Sequence, residues 1–158
     1  MLDIVIIGSG PAGLSAAIYG SRSGLDILVI EKISHGVGQI AEADCINNYL
    51  GFSSIRGFEL GMQFRTHAEA CGVRFQESEA IKLERTDACW KIYSKDGSCI
   101  QSKTVIYAAG ASHRHLNVFG EEALIGKGVS YCATCDGTFY KGKDVAVIGG
   151  GNTAVGDA

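Results

Sequence analysis

An α/β fold built on a parallel sheet is what this sequence predicts, and three observations predict it. A short, β-branched apolar run, Leu2 to Ile7, leads straight into Gly8-Ser9-Gly10-Pro11-Ala12-Gly13. A second run, Asp26 to Ile30, ends at an acid, Glu31, 23 positions beyond Gly8. A third, Asp144 to Ile148, opens on another glycine turn, Gly149-Gly150-Gly151-Asn152-Thr153-Ala154. Strands covered on both faces read as near-continuous apolar runs, which is the habit of parallel sheets.

The 158 residues suffice for one domain, or one plus part of a second. Hydrophobic residues make up 46%, enough for a core. The 22 glycines are about twice the number that ordinary usage of roughly 7% gives; with a single proline they mark turns and close backbone approaches, not a linker. A net charge of -3 and the lack of basic runs leave no electrostatic footprint for nucleic acid or an anionic membrane surface. No stretch approaches the roughly 18 apolar residues that span a bilayer, and Met1-Leu2-Asp3 lacks the positive opening of a secretory signal. The expected location is the cytoplasm, where six cysteines are reduced thiols plus one redox pair and not a disulfide framework.

The first strand ends at a G-x-G-x-x-G turn. Gly8 permits the tight turn, Gly10 lets backbone approach a pyrophosphate, and Gly13 lets helix and strand pack closely. Pro11 suits the first turn of the following helix, roughly Pro11 to Ser23, with Gly24 as its stop. Glu31 stands where an acid accepts hydrogen bonds from ribose hydroxyls and repels a 2′-phosphate, so FAD or NAD fits this site better than NADP. Gly36-Val37-Gly38-Gln39 and Asn47-Asn48-Tyr49-Leu50-Gly51 punctuate a long irregular stretch whose amides could face a flavin ring. From Gly57 to Cys71, Leu60, Phe64, Ala68 and Cys71 recur at helical spacing, which makes Cys71 a core thiol and His67 a solvated or satisfied histidine and not a ligand.

Three period-two segments follow, around Ile81 and Leu83, Trp90 and Ile92, and Ile100 with Val105-Ile106. Turns at Thr86-Asp87 and Asp96-Gly97 separate them, as in an antiparallel meander. Thr104 to Ala109 returns to a buried strand, and His113 to Lys127 reads as a crossing between domains. The last glycine turn carries Ala154 in its third position. Only seven residues follow Gly151, fewer than a dinucleotide-binding unit needs to bury a face, so an N-terminal portion of a longer protein is expected.

Between the two turns lies Tyr131-Cys132-Ala133-Thr134-Cys135-Asp136-Gly137. Two thiols three positions apart can close a small disulfide ring whose thiolate and redox potential are tuned by their surroundings. Asp136 follows the second sulfur at once, placed to exchange a proton with a sulfur leaving as thiolate.

With both turns and the dithiol, the chain resembles the bacterial-type, low-molecular-weight thioredoxin reductases. The match runs its full length, through Gly8 to Gly13 with Glu31, Ala109-Gly110-Ala111-Ser112, Gly128 to Gly137 and Gly149 to Val155. The resemblance implies a FAD-binding Rossmann-like parallel sheet with an antiparallel meander over residues 1–115. A second Rossmann-like domain, for NADPH and carrying the dithiol, starts over 116–158 and is truncated. It implies that electrons pass from NADPH through FAD to the Cys132–Cys135 disulfide and on to thioredoxin, in a protein that is usually a homodimer. Cys135 is then the cysteine that faces the flavin, Cys132 the one that attacks the partner, and Asp136 the proton donor and acceptor. FAD contacts are implied for Gly8, Ser9, Gly10, Pro11, Ala12, Gly13, Glu31, Lys32, Gly38, Gln39, Asn48, Ala109 and Gly110. Those to NADPH fall on Gly149, Gly151, Asn152, Thr153 and Ala154. The chain departs from the family pattern at Val37, which interrupts Gly-Gly-Gln, at Leu50 in place of proline, at Ala109 in place of threonine, and at Gly156-Asp157 in place of an acidic pair.

Three other readings compete. His113, His115, Cys132 and Cys135 add up to four zinc ligands, though not at finger spacing. A related flavoprotein has the same parts with another donor or acceptor, as in ferredoxin-linked thioredoxin reductase or the flavoprotein of alkyl hydroperoxide reductase. The third is a non-catalytic nucleotide-binding fragment, inactive alone.

Overall fold

Six strands form one sheet, and its order, β3-β2-β1-β6-β5-β4, puts the first strand of the chain near the middle. In this computed structural model the strands are β1 (Leu2–Ile7), β2 (Ile27–Glu31), β3 (Arg74–Glu77), β4 (Ala80–Arg85), β5 (Trp90–Ser94) and β6 (Cys99–Tyr107). The structure describes the backbone of all 158 residues and every side chain except those of Thr134, Cys135 and Asp157. The chain divides into two units, Met1–Gly110 and Ala111–Ala158.

In the first unit β1 pairs in parallel with β2 and β6, and β2 with β3. The meander β4, β5, β6 is antiparallel. The two parts are one sheet because β6 serves both, joining the expected segment of Ile100 with Val105-Ile106 to the expected strand from Thr104, which ends at Tyr107 and not Ala109. Its first half pairs with β5, as Ile100 with Ile92, and its second half with β1, as Ile106 with Ile6. Ser102, where the partners change, faces both Leu2 and Trp90, and its buried hydroxyl donates to the Thr104 carbonyl at 2.7 Å.

From Ile4 to Ile7 β1 is apolar, and its last three residues are buried from both faces. Ile6 joins Val29, Leu14 and Ala17 of helix α1 (Pro11–Arg22), and Ala68 of helix α2 (Gly57–Ala70). Val5 and Ile7 join Ile30 and Ile92 on the other side. Each fully buried aliphatic side chain of this kind contributes roughly 1.5–3 kcal/mol. Helix α1 begins with Pro11 in its first turn and ends at Ser23, where Gly24 takes a φ of 76°. The irregular stretch after β2 contains a 3-10 turn, Gly38–Glu42, and a loop closed by a bridge between Ile46 and Ile55. β3 was not among the expected elements: Phe75 is its one apolar residue, and pairing with β2 makes it a strand.

Among the described residues the second unit holds three short α-helices, α3 (Glu121–Leu124), α4 (Ala133–Asp136) and α5 (Asn152–Asp157), and a 3-10 turn, Gly137–Tyr140. The expected strand Asp144 to Ile148 is not formed. These residues run as irregular backbone, with Val145 and Ile148 exposed at 66% and 67%. Among the described residues of this unit no strand lies beside them, and without a neighbour to take its N–H and C=O groups an extended apolar run has nothing to hold it. No helix among the described residues is long and apolar enough to cross a membrane.

Candidate functional site

The first glycine turn gathers three of the sequence-predicted segments. Gly8 adopts a φ of 108°, its N–H donates to the Ile30 carbonyl at 2.9 Å, and a Cβ there would lie 2.2 Å from the Ala108 carbonyl oxygen. That approach sets Ala109, just beyond β6, against the turn, whereas a Cβ on Gly110 would meet nothing within 4 Å. A Cβ on Gly13 would lie 1.9 Å from the Gly8 carbonyl oxygen, so α1 presses directly on it. Gly10, extended at φ -71° and ψ 177°, caps α1, and a Cβ there would find only Gly38 Cα and the Val37 carbonyl within 4 Å. The buried Ser9 hydroxyl donates to the Gly36 carbonyl and ties the turn to that loop. The first-turn amides of α1 have no partner inside the helix, and with the helix dipole they form a pole for an anion.

Gln39 follows Gly38 in the 3-10 turn. Asn48 lies apart, in the exposed loop behind the Ile46–Ile55 bridge. Lys32 is exposed and pairs with Glu79 at 2.8 Å. Val37, the departure from the family's glycine, is only 2% exposed and has its own complement, because a Cβ on Gly61 of α2 would meet its Cγ2 at 2.5 Å.

Glu31, at the end of β2, is 3% exposed. Both its oxygens accept from one nitrogen of Arg65, at 2.9 and 2.7 Å. Arg65 donates from Nε to Glu69 at 2.6 Å and lies over the Phe75 ring, 3.4 Å from its centroid. Burial acts to lower the guanidinium pKa, but the hydrogen bonds to Glu31 and Glu69 outweigh it and raise the value. Sequence reasoning missed Arg65. The signal was a basic residue three positions before Ala68 and four after Gly61, on the buried side of α2.

In the second unit Cys132, disulfide-bonded, stands at the N-terminal cap of α4. The side chain of Cys135 lies outside the described residues. Asp136 ends α4, and its N–H donates to the Cys132 carbonyl at 3.1 Å. Ser130 links the two residues a second time: its hydroxyl donates to Asp136 Oδ2 at 2.6 Å and accepts from the Cys132 N–H at 3.1 Å. Sequence reasoning gave Ser130 no role, although a serine two residues before a turn is a common partner for backbone N–H.

Tyr131 is pinned from several sides. Its hydroxyl donates to the buried Glu121, whose carboxylate also accepts from the Leu116 and Asn117 amides at 2.8 and 2.7 Å. His113 stacks on the ring at 4.8 Å and His115 meets it edge-on at 5.7 Å. The hydrogen bond to Glu121, then burial and the charges of Glu121 and Glu122, push the phenol pKa up to about 12. The tyrosine and the two amides hold Glu121 below the usual carboxylate range against an opposing effect of burial. No three His, Cys, Asp or Glu side chains converge on one point among the described residues. The second glycine turn has Gly149 at φ 133° and Gly151 capping α5, with Asn152, Thr153 and Ala154 as the first helical residues.

A glycine cradle on a parallel sheet and a cysteine pair followed by a held acid are the marks of a nucleotide-dependent disulfide oxidoreductase. The chain belongs to the pyridine nucleotide-disulphide oxidoreductase family, whose profile matches residues 2–158. It is 42% identical to thioredoxin reductase of Mycoplasma genitalium over 156 residues, 99% of this chain and 49% of that protein. It is 43% identical to thioredoxin reductase of Bacillus subtilis over 153 residues, 97% of this chain and 48% of that protein. The crystal structure of thioredoxin reductase from Streptococcus pyogenes superposes with a TM-score of 0.90 at 41% identity, covering 100% of this chain and 51% of that one. The chain thus spans about half the length of the relatives it matches.

Proposed function

We propose that these residues are the flavin-cradling and dithiol-bearing part of a thioredoxin-disulfide reductase, a homodimeric cytoplasmic flavoprotein that draws electrons from NADPH. The observation that carries this reading is the Ser130 hydroxyl between Cys132 and Asp136, which fixes an acid beside a disulfide-bonded cysteine. Residues 1–115 belong to the FAD domain, and 116–158 begin the NADPH domain with Gly149, Gly151, Asn152, Thr153 and Ala154 as its phosphate turn.

The first turn fits FAD. At Gly10 a side chain would fill the gap that faces Gly38, and the free amides of α1 suit a pyrophosphate. Glu31 would hold the adenosine ribose, and Gly38, Gln39, Ala109, Gly110 and Lys32, with Asn48 from its separate loop, would supply the other FAD contacts. When bound, FAD supplies two-electron transfer between the nicotinamide and the protein disulfide.

The rest of the chemistry belongs to sulfur. The Cys132 thiolate attacks the thioredoxin disulfide, forming a mixed disulfide and expelling one thioredoxin sulfur as thiolate. Cys135 then attacks the Cys132 sulfur and releases the second. Thioredoxin gains two electrons and the Cys132/Cys135 pair loses two, while Asp136 passes a proton between attacking thiol and leaving thiolate. Turnover belongs to a reductase of the relatives' full length, and the 158 residues alone bind FAD weakly and do not consume NADPH.

Thiol exchange can be tested on the chain itself. Pre-reduced and freed of reductant, it should convert oxidised thioredoxin to the dithiol. Cys135→Ser should accumulate a mixed disulfide with thioredoxin that Cys132→Ser cannot form. Failure of the reduced protein to convert thioredoxin, or equal trapping by both variants, would overturn the reading.

A further inference from the structure

Glu31 is a buried acid asked to bind a diol, and the structure surrounds it with groups the proposed chemistry does not use. Arg65 bridges both carboxylate oxygens from one nitrogen, and is itself fixed by Glu69 on its Nε and by the face of Phe75. We propose that Arg65 is a positioning residue for the adenosine ribose. By holding Glu31 in one orientation, it leaves a lone pair on each oxygen for the two vicinal hydroxyls. The inference rests on the reading of the first glycine turn as the FAD site.

Three pieces of chemistry support it. An ionised carboxylate has about four lone-pair sites, and Arg65 takes one on each oxygen, so two acceptors of matched spacing stay open. A carboxylate at 3% exposure is expensive without a partner, and Arg65 supplies that partner from α2. The guanidinium is planar and stacked, so its direction is set before any ligand arrives, which a lysine on the same stem does not reproduce. With Glu69 included, two acids share one base and the cluster keeps a net negative charge, which suits hydroxyl donors and repels a phosphate on the ribose.

A ligand–protein cycle separates positioning from folding. Flavin fluorescence titrations of the chain with FAD, and with FAD whose adenosine ribose lacks the 2′-hydroxyl, give a preference for the hydroxyl that global stability does not alter. Wild type should favour FAD by roughly tenfold or more, the scale of a hydrogen bond to a charged group. Arg65→Met should cut the preference below about threefold, as should Glu31→Gln, and Arg65→Lys, which retains a charge to keep the protein folded, should fall between wild type and Arg65→Met. A full wild-type preference in Arg65→Met, or in Arg65→Lys should the methionine variant not fold, would overturn the inference while leaving the FAD site intact. Absence of saturable FAD binding by wild type up to millimolar ligand would instead bring down the cofactor reading, and this inference with it.

Discussion

Gly8 and Gly149 share a positive φ, 108° and 133°, and Gly10 and Gly151 both cap a helix from extended backbone, at φ/ψ of -71°/177° and -83°/173°. Around these similar turns the chain is built differently. The first sits at the end of a strand paired on both sides and is pressed by Ala108 and Gly13. The second follows unpaired, exposed backbone, and a Cβ at Gly151 would meet nothing within 4 Å. A glycine turn that caps a helix is therefore encoded locally, by residues that tolerate φ > 0 and by the start of a helix. The strand that feeds it is encoded by its neighbours.

The largest expected effect breaks the symmetry at the turns. Gly8→Ala adds a Cβ 2.2 Å from a backbone oxygen and occupies a left-handed φ, two faults with no flexible side chain to yield. It should destabilise the first unit by roughly 4 kcal/mol or more. Gly151→Ala should stay within about 0.5 kcal/mol, because its φ is ordinary and its surroundings are open. Urea titration followed by circular dichroism compares them, and similar midpoints for the two variants would mean that the first turn is not pinned by β6.

A smaller effect sharpens the comparison at the strands. Ile6→Ala empties a site at 0% exposure and should cost about 3 kcal/mol, within the usual range for such cavities. Ile148→Ala, in the run that resembles β1 by sequence, should cost less than about 0.5 kcal/mol. A loss at Ile148 approaching that at Ile6 in the same denaturation experiment would show that the 144–148 run is packed after all.

That pair of residues also marks how far the fold was legible. Ile6 and Ile148 sit in runs of the same composition, and composition alone assigns both to strands; only the presence of β2 and β6 beside the first makes the assignment hold. β1, α1, β2 and α2 were legible because each carries its own period or stop, such as Pro11 at the start of α1 and Gly24 after it. β3 was not, since Phe75 among polar residues becomes a strand only by pairing with β2. The site divides in the same way. The spacing of Gly8, Glu31, Cys132 and Asp136 is visible in one dimension. Arg65 and Ser130 matter through partners 34 and six positions away, and nothing in their immediate sequence names those partners.

The smallest effect concerns what orders the second unit in the absence of a sheet. Glu121 joins the Leu116–Asn117 loop to Tyr131, immediately before Cys132, so this unit relies on titratable contacts where the first relies on Ile6, Leu14 and Val29. The Tyr131 phenol is raised in the folded state, so its contribution is complete below the ordinary value of 10.0 and is lost as pH rises through about 12. Glu121 is lowered, so its contribution is present above the ordinary 4.5 and is lost as pH falls through the depressed value. Ultraviolet titration of the six tyrosines should resolve one phenol ionising near 12, absent in Tyr131→Phe and shifted toward the ordinary range in Glu121→Gln. If the late component survives Tyr131→Phe, or Glu121→Gln leaves it in place, then this carboxylate is not what ties Tyr131 to the loop. The segment leading to the dithiol would then have to be ordered by the stacked His113 and His115 rings instead.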